Sequence, residues 1–248
     1  MDAHYIALIP AYGSVAGLWF LIYRTVRKPW DKESSISFQK PWLEFIYALL
    51  AIMAILGIGQ LYTRGMLIPD HDNTYIDALN QILIFSPTLI LIAIRKQPAQ
   101  TIWLPTSNIP LRIIWGLVLA FISLIIYWLI RKDAAGLVSI MTNTFHPKNI
   151  SQFVQVFMED ITIALVFVRL SEWIGRKWTI GIVAVLFSAA HIPALMSNGA
   201  TTSELLTLVI DAAIGIIILS AVSKSRDIWW FVLVHFALDM SQYYGGVN

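Results

Sequence analysis

Residues 112–130 read Arg-Ile-Ile-Trp-Gly-Leu-Val-Leu-Ala-Phe-Ile-Ser-Leu-Ile-Ile-Tyr-Trp-Leu-Ile, and no further charge appears until Arg131. A helix needs about 20 apolar residues to cross the hydrocarbon layer of a bilayer. This stretch is long enough and oily enough to do so. Working outward, seven more stretches qualify: 6–23, 42–62, 76–94, 152–170, 178–195, 204–222 and 228–243. The expected fold is all-α, a polytopic membrane protein of about eight transmembrane helices. No linker, low-complexity tract or internal repeat divides the chain, so residues 1–248 read as a single transmembrane domain.

Composition agrees. The chain is 58% hydrophobic and 13% charged, with mean hydropathy +0.70. Soluble domains are about 45–50% apolar and about 25% charged. The net charge of +2 and the lack of a basic block argue against nucleic acid as a partner. With no cysteine, disulfides, thiolate catalysis and cysteine-based zinc sites are excluded. The opening Met1-Asp-Ala-His-Tyr5 lacks a basic n-region, so no cleaved signal peptide is expected.

Loop charge suggests an orientation. Arg24, Arg27, Lys28, Lys32, Lys40, Arg95, Lys96, Arg112, Arg169, Arg176, Lys177, Lys224 and Arg226 fall on one side. Arg64, Arg131, Lys132 and Lys148 fall on the other. The positive-inside rule then places both termini outside the cytoplasm of a cell (bacterial plasma) membrane.

Three polar islands interrupt the apolar runs: Glu159-Asp160, Phe187-Ser-Ala-Ala-His191 and His235-Phe-Ala-Leu-Asp239. Ionisable groups at membrane depth are costly and are functional candidates by default. In the inferred orientation Glu159, His191, His235 and Asp239 share one layer of the outer half, given a rise of about 1.5 Å per residue. Asp211, and Asp77 at the head of span three, fall at comparable depth. A water between Glu159 and His191 could be deprotonated for attack on a carbonyl. His235 and Asp239, one turn apart, are neighbours on their helix, and the acid could fix the histidine tautomer. A donor histidine could stabilise an oxyanion. Asp160 points about 100° away from Glu159, toward another helix or a polar network. Zinc is the rival chemistry, with ligands drawn from three helices; no His-Glu-x-x-His occurs. The expectation is a metal-free mechanism without a cofactor.

These residues resemble a known family. An acidic pair, then Phe-x-x-x-His about thirty residues on, then His-x-x-x-Asn/Asp near the C-terminus, looks like the CAAX protease and bacteriocin-processing (CPBP, or Abi) family. The similarity spans roughly residues 110–243. Ala184-Val-Leu-Phe-Ser-Ala-Ala-His191 is similar to the family's second motif and Trp229-Trp-Phe-Val-Leu-Val-His235 to its third. The resemblance implies a glutamate-type intramembrane endopeptidase. It implies Glu159 and His191 activating the water, and His235 and Asp239 in the oxyanion hole. It leaves Asp160, Phe187 and Asp211 as supporting residues. The first motif of the family usually reads Glu-Glu-x-x-x-Arg; here it reads Glu159-Asp160-Ile-Thr-Ile-Ala164, without the arginine. An extracellular peptide or protein at the bilayer then fits better than a prenylated C-terminus. The alternative is a catalytically inactive relative, serving as a bacteriocin immunity or peptide-binding protein. A proton-relay transporter ranks third, for want of broken-helix repeats.

Other features have simpler readings. Trp19, Trp30, Trp42, Trp103, Trp173, Trp178, Trp229 and Trp230 flank spans and read as interfacial belts. Gly13 and Gly17 form a Gly-x-x-x-Gly pattern expected to pack span one within the protein, and Gly57 and Gly59 mark another close-packing spot. His71 and His146 read as solvated loop residues.

Overall fold

The computed structural model describes residues 3–26, 30, 37–69, 73–131, 136–197 and 199–244. His71 and the loop charges Arg27, Lys28, Lys32 and Lys132 lie outside them. Ten α-helices follow in order among the described residues: α1 (Ala3–Thr25), α2 (Pro41–Thr63), α3 (Thr74–Ile94), α4 (Ile109–Arg131), α5 (Leu137–Thr144), α6 (Ile150–Ile174), α7 (Arg176–Ala190), α8 (Ile192–Ser197), α9 (Thr202–Ser225) and α10 (Ile228–Tyr244). No strand occurs among these residues.

The long helices overlap the apolar stretches. Five contain segments apolar and long enough to cross a membrane: Ile6–Thr25, Pro41–Thr63, Thr74–Ile94, Ile109–Arg131 and Leu205–Ser225. The chain is therefore an all-α, multi-pass membrane protein. The other three long helices differ for a reason that bears on function. α6 has 25 residues but carries Glu159, Asp160, Arg169 and Glu172. α7 and α10 have only 15 and 17 residues, which at about 1.5 Å per residue is short of a hydrocarbon layer about 30 Å thick. The expected span 178–195 accordingly ends early. α7 stops at Ala190, His191 forms the turn, and the short α8 follows. Pro193 contributes to that break, because it has no N–H to donate to the carbonyl of Ala189 four residues back. The loop 131–151 likewise holds α5 and a 3-10 turn at Pro147–Asn149.

α6 is the central element. It packs against α3, α2, α7 and α10, while α1 lies on α4 and α9. Tight approach is bought by small residues. A Cβ on Gly116 of α4 would sit 2.7 Å from the Trp230 Cα of α10, and one on Gly215 of α9 3.1 Å from the Ala184 Cβ of α7. Gly116→Ala must therefore push α4 and α10 apart. We expect a loss of about 1–3 kcal/mol, the usual cost of overpacking, read as a lower unfolding temperature in detergent. Gly13, Gly17 and Gly57 behave differently from expectation: nothing lies within 4 Å of where their Cβ would be. Among the described residues no other helix approaches the Gly13 and Gly17 positions closely, and Gly59 makes only an ordinary contact with Ile84.

The tryptophan reading also needs correction. Trp42, Trp173 and Trp178 are exposed, but Trp19, Trp30, Trp103 and Trp230 are buried. Trp19 of α1 stacks on Trp230 of α10 with ring centroids 5.8 Å apart. These rings fill the seam between helices rather than belting the surface.

Two of the charges counted as loop charges are also internal. Arg112, in the first turn of α4, is buried and donates from Nη1 to Asp227 Oδ2 at 2.9 Å. Asp227 also accepts from the Trp30 indole at 2.8 Å and caps α10 through the Trp229 amide at 2.9 Å. Burial pushes the Asp227 carboxyl above the ordinary aspartate value, against the opposing pull of Arg112, Trp30 and the Trp229 amide. Arg169 is fully buried in α6 and donates to the Leu165 carbonyl at 2.8 Å, the Thr101 carbonyl at 3.2 Å and the Gln97 side chain. Gln97 in turn donates to Glu44, which Arg95 also meets. These two polar knots lock the helix ends on one face of the bundle.

Candidate active site

A cavity of about 240 Å³ opens between α1, α6, α7, α9 and α10. Its lining includes Glu159, His191, His235, Asp239, Asp211 and Phe187. Four helices, α6, α7, α9 and α10, thus bring six of the seven residues singled out from sequence to one space. Asp160 is the exception. It is buried behind the cavity, 2% exposed.

α6 supplies the acidic pair. Glu159 faces the cavity and accepts from Gln155 Nε2, one turn earlier, at 2.9 Å. Asp160, the next residue around the helix, faces α10 and meets His235 Nδ1 at 2.9 Å through Oδ1. Its other oxygen, Oδ2, is buried without a hydrogen-bond partner among the described residues. Residue 164 lies one turn further on, where side chains at i and i+4 are neighbours. It is a fully buried alanine. A cation there would stand beside the orphaned oxygen.

α7 delivers His191 at its very end. The Nδ1 atom lies 3.0 Å from the Phe187 carbonyl. A carbonyl only accepts, so Nδ1 carries the proton and Nε2 keeps a lone pair. The ring is exposed and lines the cavity, so water reaches it. The Phe187 ring stands edge-on to both histidines, 5.0 Å from His191 and 6.3 Å from His235.

α10 supplies His235 and Asp239. His235 is 7% exposed and stacks on Phe231 at 5.4 Å. Its Nε2 lies 3.7 Å from Asp239 Oδ2, beyond hydrogen-bond reach. The hydrogen bond expected from Asp239 is thus made by Asp160, on a different helix. Asp239 remains a half-exposed carboxylate at the cavity.

Other placements differ from the sequence reading. Asp77 does not line the cavity; it takes hydrogen bonds from Tyr62 and Ser151 at the head of α3. His146 is exposed and accepts from the Lys148 amide, as a loop residue. Tyr12 and Leu8 of α1 line the cavity, and neither was singled out. A lone tyrosine near the middle of span one was the available signal. Among the described residues, no three histidines, aspartates or glutamates converge as metal ligands.

Residues 149–241 match the family model described as Type II CAAX prenyl endopeptidase Rce1-like. Over this stretch the chain is similar to the CAAX-protease family. The match begins at the head of α6 and ends within α10, so it contains Glu159, Asp160, His191, Asp211, His235 and Asp239. It does not contain Tyr12. No curated protein and no solved structure matches the chain. The matched family is one of membrane-embedded peptidases.

Proposed function

We propose that the protein is an intramembrane endopeptidase that hydrolyses a peptide bond with a water activated by Glu159 and His191. The observation that carries this reading is the shared cavity: Glu159, His191 and His235 line one space although they come from three helices. Glu159 takes the proton of the attacking water. His191 holds that water through its free Nε2 lone pair. His235, as an imidazolium flanked by Asp160 and Asp239, donates from Nε2 to the oxyanion. Tyr12 adds a neutral hydroxyl to the same cavity, a donor that an ionised Asp239 cannot be. The proposed reaction is metal-free and uses no cofactor.

The site sits in the half of the bundle away from most lysines and arginines. By the positive-inside rule this is the outer leaflet of a cell membrane, with both termini outside. The substrate is then a peptide or protein at the outer surface, such as a bacteriocin or signal peptide. Purified protein in detergent, given a peptide library, should produce new termini detectable by mass spectrometry, and a chelator should leave the rate unchanged. No cleavage of any peptide, or loss of activity on chelation, would contradict the proposal.

Asp160 acts through His235. Asp160→Asn keeps the shape but offers no anion to the ring. We expect about a 10²-fold or greater fall in kcat with little change in KM, by the logic that an orienting acid fixes the catalytic imidazole. An unchanged kcat would remove Asp160 from the mechanism.

One observation favours a second reading. The Asp160 oxygen Oδ2 is buried with no hydrogen-bond partner among the described residues, and position 164, one turn on, is an alanine. An inactive relative that binds a bacteriocin or another peptide would tolerate that absence. Such a protein would confer its protection even with Glu159→Gln.

A further inference from the structure

A second hollow, of about 110 Å³, opens among the last turn of α6, the first turn of α7 and the end of α9. It shares no lining residue with the active cavity. Glu172 on its rim lies about 20 Å down α6 from Glu159, given a rise of about 1.5 Å per residue. The floor is apolar: Trp103, Phe167 and Val168 are buried, and the Trp103 and Phe167 rings lie 4.9 Å apart.

The rim is charged. Arg176 opens α7, Arg226 follows the last residue of α9, and Glu172, Ser171 and Ser223 complete the lining. Arg176 is held in place, donating from Nε to Ser223 Oγ and from Nη2 to the Ser220 carbonyl, each at 3.1 Å. Partial burial, and then the charge of Arg226, push its guanidinium below the ordinary arginine value. The two cations therefore oppose each other. Glu172 lines the same hollow, yet among the described residues it forms an ion pair with neither arginine.

Two features define the ligand. Charges of both signs that stay unpaired around one hollow suit a group that itself carries both. The hollow is also smaller than the roughly 300–1,000 Å³ of pockets that enclose a small molecule, so it takes the head of a ligand whose body lies outside. The setting supplies that body. The hollow sits at span ends on the side rich in lysine and arginine, and the same helix ends carry the exposed Trp173 and Trp178, aromatics typical of headgroup depth. Ile182 and Val185 of α7 and Ile216 of α9 are exposed further along these helices and offer acyl chains an apolar path.

We propose that this hollow binds the headgroup of a phospholipid bearing a primary ammonium, as phosphatidylethanolamine does, with Arg176 and Arg226 on the phosphate and Glu172 on the ammonium. Both contacts are charge-assisted hydrogen bonds, which are stronger than neutral ones, and the planar guanidinium fork matches phosphate geometry. A head bound here ties the start of α7 to the ends of α6 and α9, so the lipid stabilises the folded bundle by mass action.

The test offers purified full-length protein in detergent an equal mixture of phosphatidylethanolamine, phosphatidylglycerol and phosphatidylcholine with the same acyl chains, and reads the bound lipid by native mass spectrometry. Wild type should retain one phosphatidylethanolamine about tenfold more tightly than either rival, the scale of one lost hydrogen bond to a charged group. Phosphatidylglycerol lacks the ammonium, and the trimethylated nitrogen of phosphatidylcholine has no N–H for Glu172. Glu172→Gln should erase the preference over phosphatidylglycerol. Arg226→Gln should weaken retention of phosphatidylethanolamine about tenfold. The Arg226 side chain makes no hydrogen bond or ion pair among the described residues, so the unfolding temperature of this variant without lipid should match wild type. Equal retention of the three lipids, or a preference that both variants leave intact, overturns the inference. Inorganic phosphate alone should not raise the unfolding temperature; a rise that Arg226→Gln abolishes would assign the hollow to free phosphate and overturn the lipid.

Discussion

Glu159→Gln should lower peptide cleavage by about 10³-fold, within the range attributed to a positioned general base. The substitution keeps the size of the side chain and its hydrogen bond with Gln155. It removes only the capacity to accept a proton from water. The loss should fall on kcat, because the base acts in the transition state and not in binding. Single-turnover cleavage in detergent, followed by mass spectrometry, separates the two constants. A variant that cleaves at the wild-type rate would transfer the role of base to another group, with His191 the first candidate.

The second large effect concerns stability. Asp227→Ala should destabilise the fold by about 3–5 kcal/mol, because it breaks a buried ion pair by removing the carboxylate beside the Arg112 guanidinium. The same change removes the acceptor for Trp30 and the cap of α10. Arg112→Met combined with Asp227→Leu should recover much of the loss, since an apolar pair of similar volume leaves no unpaired charge. Thermal unfolding in detergent gives both values. A small loss for the single variant would show that water reaches Arg112 and that this knot does not hold α4 to α10.

The sequence reading reached the helices more easily than their faces. Long, mostly apolar runs located the long helices, because a backbone in lipid must satisfy its own hydrogen bonds. The same oiliness hid which side of each helix is inward. Trp19 and Trp230 read as surface aromatics and are core residues; Gly13 and Gly17 read as a packing face, and an added Cβ there would meet nothing within 4 Å among the described residues. In a membrane both environments are apolar, so hydropathy does not tell them apart. Arg112 and Arg169 read as loop charges because long helices ending in polar knots extend past their hydrophobic segments.

The site was legible where chemistry stands out from lipid. Glu159, His191, His235, Asp239 and Asp211 are costly in a membrane, and that cost marked them. Their mutual arrangement was less legible. The His235–Asp160 contact joins residues 75 apart in the chain, and helical spacing pointed to Asp239 because it sees only one helix at a time. Tyr12 escaped because a tyrosine is tolerated in a membrane and carries no comparable penalty.

The central claim is that Glu159 and His191 act on one water. The most direct measurement is a double-mutant cycle on kcat for Glu159→Gln, His191→Ala and the pair combined. Groups that act as a unit are non-additive, so the double variant should be about as slow as the slower single one. Losses that multiply would mean that the two residues serve separate steps, and the shared water would be contradicted.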